Sequence, residues 1–272
     1  MNSHRPAPPS LPTRPLPTLF LSHGSPLLAV QDSPAGRFLD GLADTLPRPS
    51  AIVVASAHFM SMQPLVGGDP RPRTVHDFNG FPEPLYAIDY PARGEPALAE
   101  RITGLIAGAG LPARLRPAHG LDHGVWVPLR RMFPDADIPV IPLSVMPHAD
   151  AATHLALGRA LAPLREEGVL TIGSGGFIHN LGDLDFTRID APSPGWAREF
   201  GDWMRERLRA RDWPALLDWQ ARAPHAQRAH PTVEHLMPLF VALGAAGLSP
   251  TPQPLHASQE YGSLALDAYA FT

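Results

Sequence analysis

TLFLSHGSP, residues 18–26, decides how this chain is read. Four residues of strand character, Thr18 to Leu21, run straight into Ser22, His23 and Gly24, so a strand ends where a turn of small residues presents an imidazole. The same grammar recurs twice. AIVVA (51–55) leads to Ser56, Ala57, His58 and Phe59, and VLTI (169–172) leads through Gly173-Ser174-Gly175-Gly176 to Phe177, Ile178, His179 and Asn180. Other apolar runs that read as strands are Leu85–Tyr90, Ala113–Arg116, Val140–Val145 and Leu264–Ala270, the last as an edge or closing strand. Helical patterns punctuated by Pro or Gly fall at Ala35–Thr45, Glu95–Ala107, Val125–Met132, Ala151–Arg165, Trp196–Ala210, Trp213–Trp219 and Glu234–Ala245. Strands alternating with helices predict an α/β fold. One domain is expected over residues 18–272, with a central, mostly parallel or mixed β-sheet flanked by helices on both faces.

In open α/β sheets ligands gather at the carboxyl ends of the strands, where His23, His58 and His179 all fall. Two further candidates stand at predicted helix starts. One is His123, with Asp122 as its N-cap; the other lies in His230-Pro231-Thr232-Val233-Glu234-His235. Neutral imidazole is the commonest metal ligand, and a His cluster in a chain without Cys points to a catalytic metal site with open positions. Neighbouring helical residues diverge by about 100°, so Glu234 or His235, not both, would face the metal. Spacing leaves that open; general coordination preference leans to Glu234, which would complete a two-His-one-carboxylate face.

The remaining signals are weaker. His4, His148, His154, His225 and His256 read as solvent-facing or structural, while His76, His119 and His230 carry no assigned task. The glycines at 173–176 make a poor phosphate or dinucleotide turn, since the rest of that fingerprint is missing. Ser22 and Ser25 lie too near His23 in sequence for a Ser–His nucleophile. The Trp and Leu spacing over residues 196–219 reads as core packing.

Composition narrows the chemistry. The 272 residues are 44% apolar, enough for a full core. A net charge of −4 lacks the basic footprint of a nucleic-acid binder. All basic residues are Arg; without Lys there is no Schiff base, no pyridoxal aldimine and no P-loop lysine. Without Cys there is no disulfide, thiolate nucleophile or iron–sulfur cluster. Residues 1–17 are Pro-rich and polar, and predict a disordered arm rather than a signal peptide. No run approaches the ~20 apolar residues of a membrane span, and a cytoplasmic protein without membrane partners is expected.

Seven motifs then come in a telling order: Leu21–Pro26 (LSHGSP), Ser56–Phe59 (SAHF), Phe78–Pro82 (FNGFP), Gly120–Gly124 (GLDHG), His179–Leu181 (HNL), His230–His235 (HPTVEH) and Glu260–Ser263 (EYGS). From about Pro17 to the C-terminus the chain resembles the DOPA-type branch of the class III, LigB-like, extradiol ring-cleavage dioxygenases. The resemblance implies a mononuclear Fe(II) site with His23, His58 and His235 as ligands, which prefers His235 over Glu234. It implies that His179 handles protons beside the metal and can serve as a fourth ligand in a resting or Zn(II)-loaded form. His123 then faces the substrate. The implied reaction opens a DOPA-like catechol with O2 to a semialdehyde, so the partners are small molecules. Apolar walls are expected from Phe59, Phe81 and Phe177. Asn79, where many relatives carry an aromatic residue, and His119 depart from the pattern and bear on the substrate's side chain. Two other readings use the same residues: a Zn-dependent hydrolase, and a non-catalytic metal-binding relative on this fold.

Overall fold

The computed structural model describes residues 15–272. Along the chain the elements are β1 (Thr18–Ser22), α1 (Pro34–Leu42), β2 (Ala51–Met60), β3 (Leu65–Gly67), α2 (Pro96–Gly108), β4 (Arg114–Arg116), α3 (His123–Met132), β5 (Val140–Val145), α4 (Ala151–Leu161), β6 (Val169–Gly175), α5 (Gly195–Ala210), α6 (Trp213–Leu217), α7 (Trp219–Arg222), α8 (Ala226–Ala229), α9 (Met237–Ala245), β7 (Pro252–His256), β8 (Gln259–Glu260), β9 (Leu264–Ala265) and β10 (Ala268–Phe271). Four parallel strands in the order β5-β2-β6-β1 form the middle of an eight-stranded sheet. They read as continuous apolar runs because helices cover both faces and no strand face meets water. β10 and β7 extend one side antiparallel, and β3 with β4 extends the other. α1 and α3 cover one face, and α2, α4 and α9, continued by α5, cover the other. The expected single α/β domain with a mixed sheet is therefore what forms.

Several expected elements differ. Leu85–Tyr90 is not a strand. Pro82 and Pro84 start a short 3-10 turn at Glu83–Ala87, and prolines deny that segment the donors a ladder needs. The expected Leu264–Ala270 strand splits into β9 and β10, and β10 is not at the edge, because β7 lies outside it. β7 contains Pro252 and Pro254, which argue against a strand in sequence and are tolerated here because its outer side pairs with no strand among the described residues. The helix expected from Glu234 begins only at Met237, where Pro238 sets its first turn; Glu234 and His235 occupy the turn before it.

The predicted arm, residues 1–17, falls largely outside the described residues, as does His4. Its end is corrected: Leu16 is fully buried, donates its N–H to Arg165 O at 3.2 Å and accepts from Arg165 Nε at 2.6 Å. No helix among the described residues is long and apolar enough to cross a membrane.

Candidate metal centre

Strand register brings the histidines together. On β6, Ser174 pairs with Leu21 of β1 on one side and with Ser56 of β2 on the other. Two residues beyond each partner stand His23 and His58. Between the pairs Ser56–Ser144 and Met60–Val145, β2 advances four residues while β5 advances one, and this bulge carries His58. The third contributor arrives by close packing. A Cβ on Gly175 would lie 2.0 Å from His235 O, and one on Gly173 would lie 2.0 Å from Pro238 O. The glycines of β6 thus let the turn ahead of α9 lie against the strand, with Gly176 N donating to His235 O at 2.8 Å. That close approach accounts for the glycine run that sequence alone could have assigned to a phosphate.

Each of the three imidazoles has its far nitrogen facing an oxygen. Ser174 Oγ donates to Gly124 O, so it accepts from His23 Nδ1 at 3.0 Å. His235 Nδ1 donates to the Glu234 carboxylate at 2.9 Å, and His58 Nδ1 faces Asp77 Oδ2 at 3.4 Å. These partners leave the Nε2 lone pairs free, and the Nε2 atoms converge: His58 to His23 at 3.0 Å and His235 to His58 at 3.3 Å. Lone pairs that close repel unless a cation sits between them. Nitrogens ~2.0–2.1 Å from one ion and ~90–105° apart around it stand ~3.0–3.3 Å from each other, as each of these two pairs does. Burial, with the neighbouring imidazoles adding to it, holds His23 and His235 well below the usual histidine range and His58 at about 3; all three are neutral, as ligands must be.

Sequence reasoning missed Asp77. Its Oδ1 accepts from His123 Nδ1 at 2.9 Å and from the His123 backbone N–H at 3.0 Å, while Oδ2 faces His58. Burial alone would raise this carboxyl, but the hydrogen bonds from His123 outweigh it and hold the group at about 2. The only available signal was a carboxylate placed directly before the Phe78–Pro82 motif. Asp77 also displaces an expected role. Asp122 occupies the N-cap position of α3, but its side chain makes no cap bond and instead accepts from Ser56 Oγ at 2.6 Å. His123 lies beside His58, ring centroids 3.8 Å apart, and His23, His58 and His123 each offer a nitrogen within 4.8 Å of the other two.

His179 lies flat on His235, centroids 3.4 Å apart at 6°, and burial pushes it down to about 4. Three bonds lace its loop to the chain before the metal turn. His179 N donates to Ala229 O at 3.0 Å, Asn180 Nδ2 to Arg228 O at 2.7 Å, and His230 Nε2 to Phe177 O at 3.1 Å. Glu234 and His235 are therefore partners rather than alternatives, since the helix geometry that made them compete is absent here.

A cavity of about 610 Å³ opens above the histidines. Of the three expected wall residues only Phe81 lines it. Phe59 follows His58 on a strand, where successive side chains point to opposite faces, and stacks on His119 at 3.5 Å. Phe177 is buried against Phe20 and Tyr269. The walls are Leu27, Phe78, Phe81, Leu184, Phe186, Tyr261 and Leu264.

The other singled-out residues are structural. Ser22 Oγ donates to Asp267 O at 2.9 Å, and Ser25 Oγ accepts from Leu27 N at 3.3 Å. His154 uses both ring nitrogens on backbone, His225 pairs with Glu199, His256 with Ser258, and His148 is exposed. His76 donates to Ile88 O at 3.0 Å. Trp196, Phe200, Met204, Leu208 and Trp219 are buried, as core packing requires.

Residues 17–271 match the family model described as the catalytic LigB subunit of aromatic ring-opening dioxygenase. The chain is 42% identical over 259 residues to a 4,5-DOPA dioxygenase extradiol of Beta vulgaris, covering 94% of this chain and 96% of that one. It is 40% identical over 258 residues to the protein of the same name from Escherichia coli K12, covering 92% and 93%. A crystal structure of an uncharacterised Escherichia coli K12 protein superposes with a TM-score of 0.79 at 33% identity, over 94% of this chain and 99% of that one.

Proposed function

The chain belongs to the LigB family of aromatic ring-opening dioxygenases, and from that membership we propose how its site works. It is a metal-dependent extradiol dioxygenase, which opens the ring of a DOPA-like catechol with O2. The hydrolase and non-catalytic readings of the same histidines give way to this one.

His23, His58 and His235 hold the metal through their Nε2 atoms, and the metal is iron(II). Iron(II) supplies a seat for both catechol oxygens and for dioxygen, and a path for electrons between them. The convergence of three Nε2 lone pairs at 3.0 and 3.3 Å, each with its Nδ1 facing an oxygen, is the observation that carries this reading.

The proton chemistry belongs to two other imidazoles. His123, its Nδ1–H held by Asp77, presents Nε2 as an acceptor for a substrate hydroxyl. His179 is neutral near pH 7 because burial holds it at about 4. A neutral ring has a lone pair free to accept a catechol proton and can return it as the imidazolium. Leu27, Phe78 and Phe81 keep water from the reacting ring. Zinc outcompetes iron(II) at most nitrogen sites and can occupy this one as the protein is isolated, so activity is read after iron is restored.

Anaerobic loading with iron(II), followed by O2 uptake on a catechol panel that includes DOPA, tests the reading. The expected result is one O2 consumed per catechol with a yellow semialdehyde product. No uptake across the panel, with full iron occupancy, overturns it.

A further inference from the structure

Tyr261 stands in the left-handed region at φ 51°, followed by Gly262 at φ 86°. The two turn the β8–β9 hairpin, in which Glu260 pairs with Leu264. Glycine or asparagine takes such a position freely; a bulky ring there is a steric outlier. The ring lines the catalytic cavity and its hydroxyl donates to Gln31 Oε1 at 3.2 Å. Its backbone N–H donates to Ile189 O at 2.8 Å, and its carbonyl accepts from Asp185 N at 3.0 Å. Those two bonds hold the segment that carries Phe186, whose ring centroid lies 5.7 Å from that of Tyr261. Phe186 is 59% exposed and Leu181 58%, and both line the same cavity. Large apolar side chains this open at a cavity mouth are shielded from water only when something apolar covers them.

We propose that Tyr261, Phe186 and Leu181 form a subsite for the substituent on the catechol ring, and that it favours an apolar chain over the zwitterionic chain of DOPA itself. The inference rests on the catechol reading of the cavity. His23, His58, His123 and His179 line the same cavity as these three residues, so a catechol whose hydroxyls meet the histidines keeps its substituent inside that cavity. A cavity of about 610 Å³ lies within the ~300–1,000 Å³ of pockets that take drug-sized ligands, so it has room for a chain beyond one bare ring. The strained turn at Tyr261 sets the wall, because the same residue supplies one ring and the two backbone bonds that hold the other.

The test is binding, read by calorimetry on the iron-loaded protein without O2, for catechol, 4-methylcatechol and 4-propylcatechol. Burial of each added carbon tightens binding about fourfold, with a negative heat-capacity change. Phe186→Ser, at an exposed position on which folding does not depend, flattens the series to less than about twofold per carbon; Leu181→Ser flattens it in part. Equal affinity along the series in the unaltered protein, or the full series retained in Phe186→Ser, overturns the subsite. If no catechol binds and none draws O2, the dioxygenase reading itself fails and the subsite with it.

Discussion

The floor and the mouth of the cavity are built by opposite means. The floor hangs on the ends of β1, β2 and β6 and on the turn before α9; His23, His123 and His235 are buried there with their Nδ1 atoms tied to oxygen. The mouth consists of residues 78–82, residues 181–189 and the Tyr261 turn, with Phe186 and Leu181 open to solvent. Metal geometry tolerates little displacement, and the candidate donors sit at strand ends and on a turn that the β6 glycines let pack against the sheet. Recognition of a substituent tolerates more, and falls to loops that can vary without disturbing that sheet.

Breaking the floor should therefore cost orders of magnitude where breaking the mouth costs a few-fold. The largest effect is expected from His179→Gln. Loss of a proton carrier lowers turnover ~10²–10⁴-fold, while metal content, read by elemental analysis, stays at the wild-type level. Metal lost from this variant would instead make His179 a fourth ligand. Asp77→Asn comes next. The amide keeps an oxygen for His123 but turns an N–H toward His58 Nδ1, which drives the His58 proton onto the metal-facing Nε2. Metal affinity, measured by chelator competition, is expected to fall ~10–100-fold. Unchanged affinity would leave Asp77 as no more than an acceptor for the first amide of α3.

What could be read from the sequence follows the same division. A strand that ends in a small residue and a histidine is a local pattern, so His23, His58 and His179 stood out, and the parallel sheet that aligns them followed from the alternation of elements. His123 and Asp122 were visible at a helix start, but the acceptor for that helix is Asp77, 46 residues earlier, a pairing no local pattern encodes. The choice between Glu234 and His235 rested on a helix that Pro238 starts three residues late. Phe59 was expected as a wall because it adjoins His58, yet strand alternation sends it to the other face. The mouth was least legible. Phe186 and Leu181 lie in irregular chain whose course is set by bonds to Tyr261 and to the α8 region, none of them periodic.

A further expected effect concerns acid stability and separates the two regions again. His230 is buried behind the floor, its Nε2 on Phe177 O and its Nδ1 without a partner among the described residues. Burial pushes it from 6.5 down to about 4. Above pH 6.5 the ring is neutral both folded and unfolded, and pH has no hold on stability through it. Between 6.5 and about 4 the unfolded chain binds a proton that the folded chain refuses, so stability falls as the pH falls. The full gap is worth roughly 3 kcal/mol by pH 4. Melting temperatures of the metal-free protein between pH 7.5 and 4.5 should therefore drop with acid. His230→Phe, which removes the titrating ring, should drop less steeply, whatever its stability at pH 7.5. Phe186→Ser should keep the wild-type slope, since no histidine lies in residues 78–82 or 181–189. Parallel curves for the wild type and His230→Phe would place the acid sensitivity elsewhere, and a shallower slope in Phe186→Ser would mean that floor and mouth do not unfold as separate concerns.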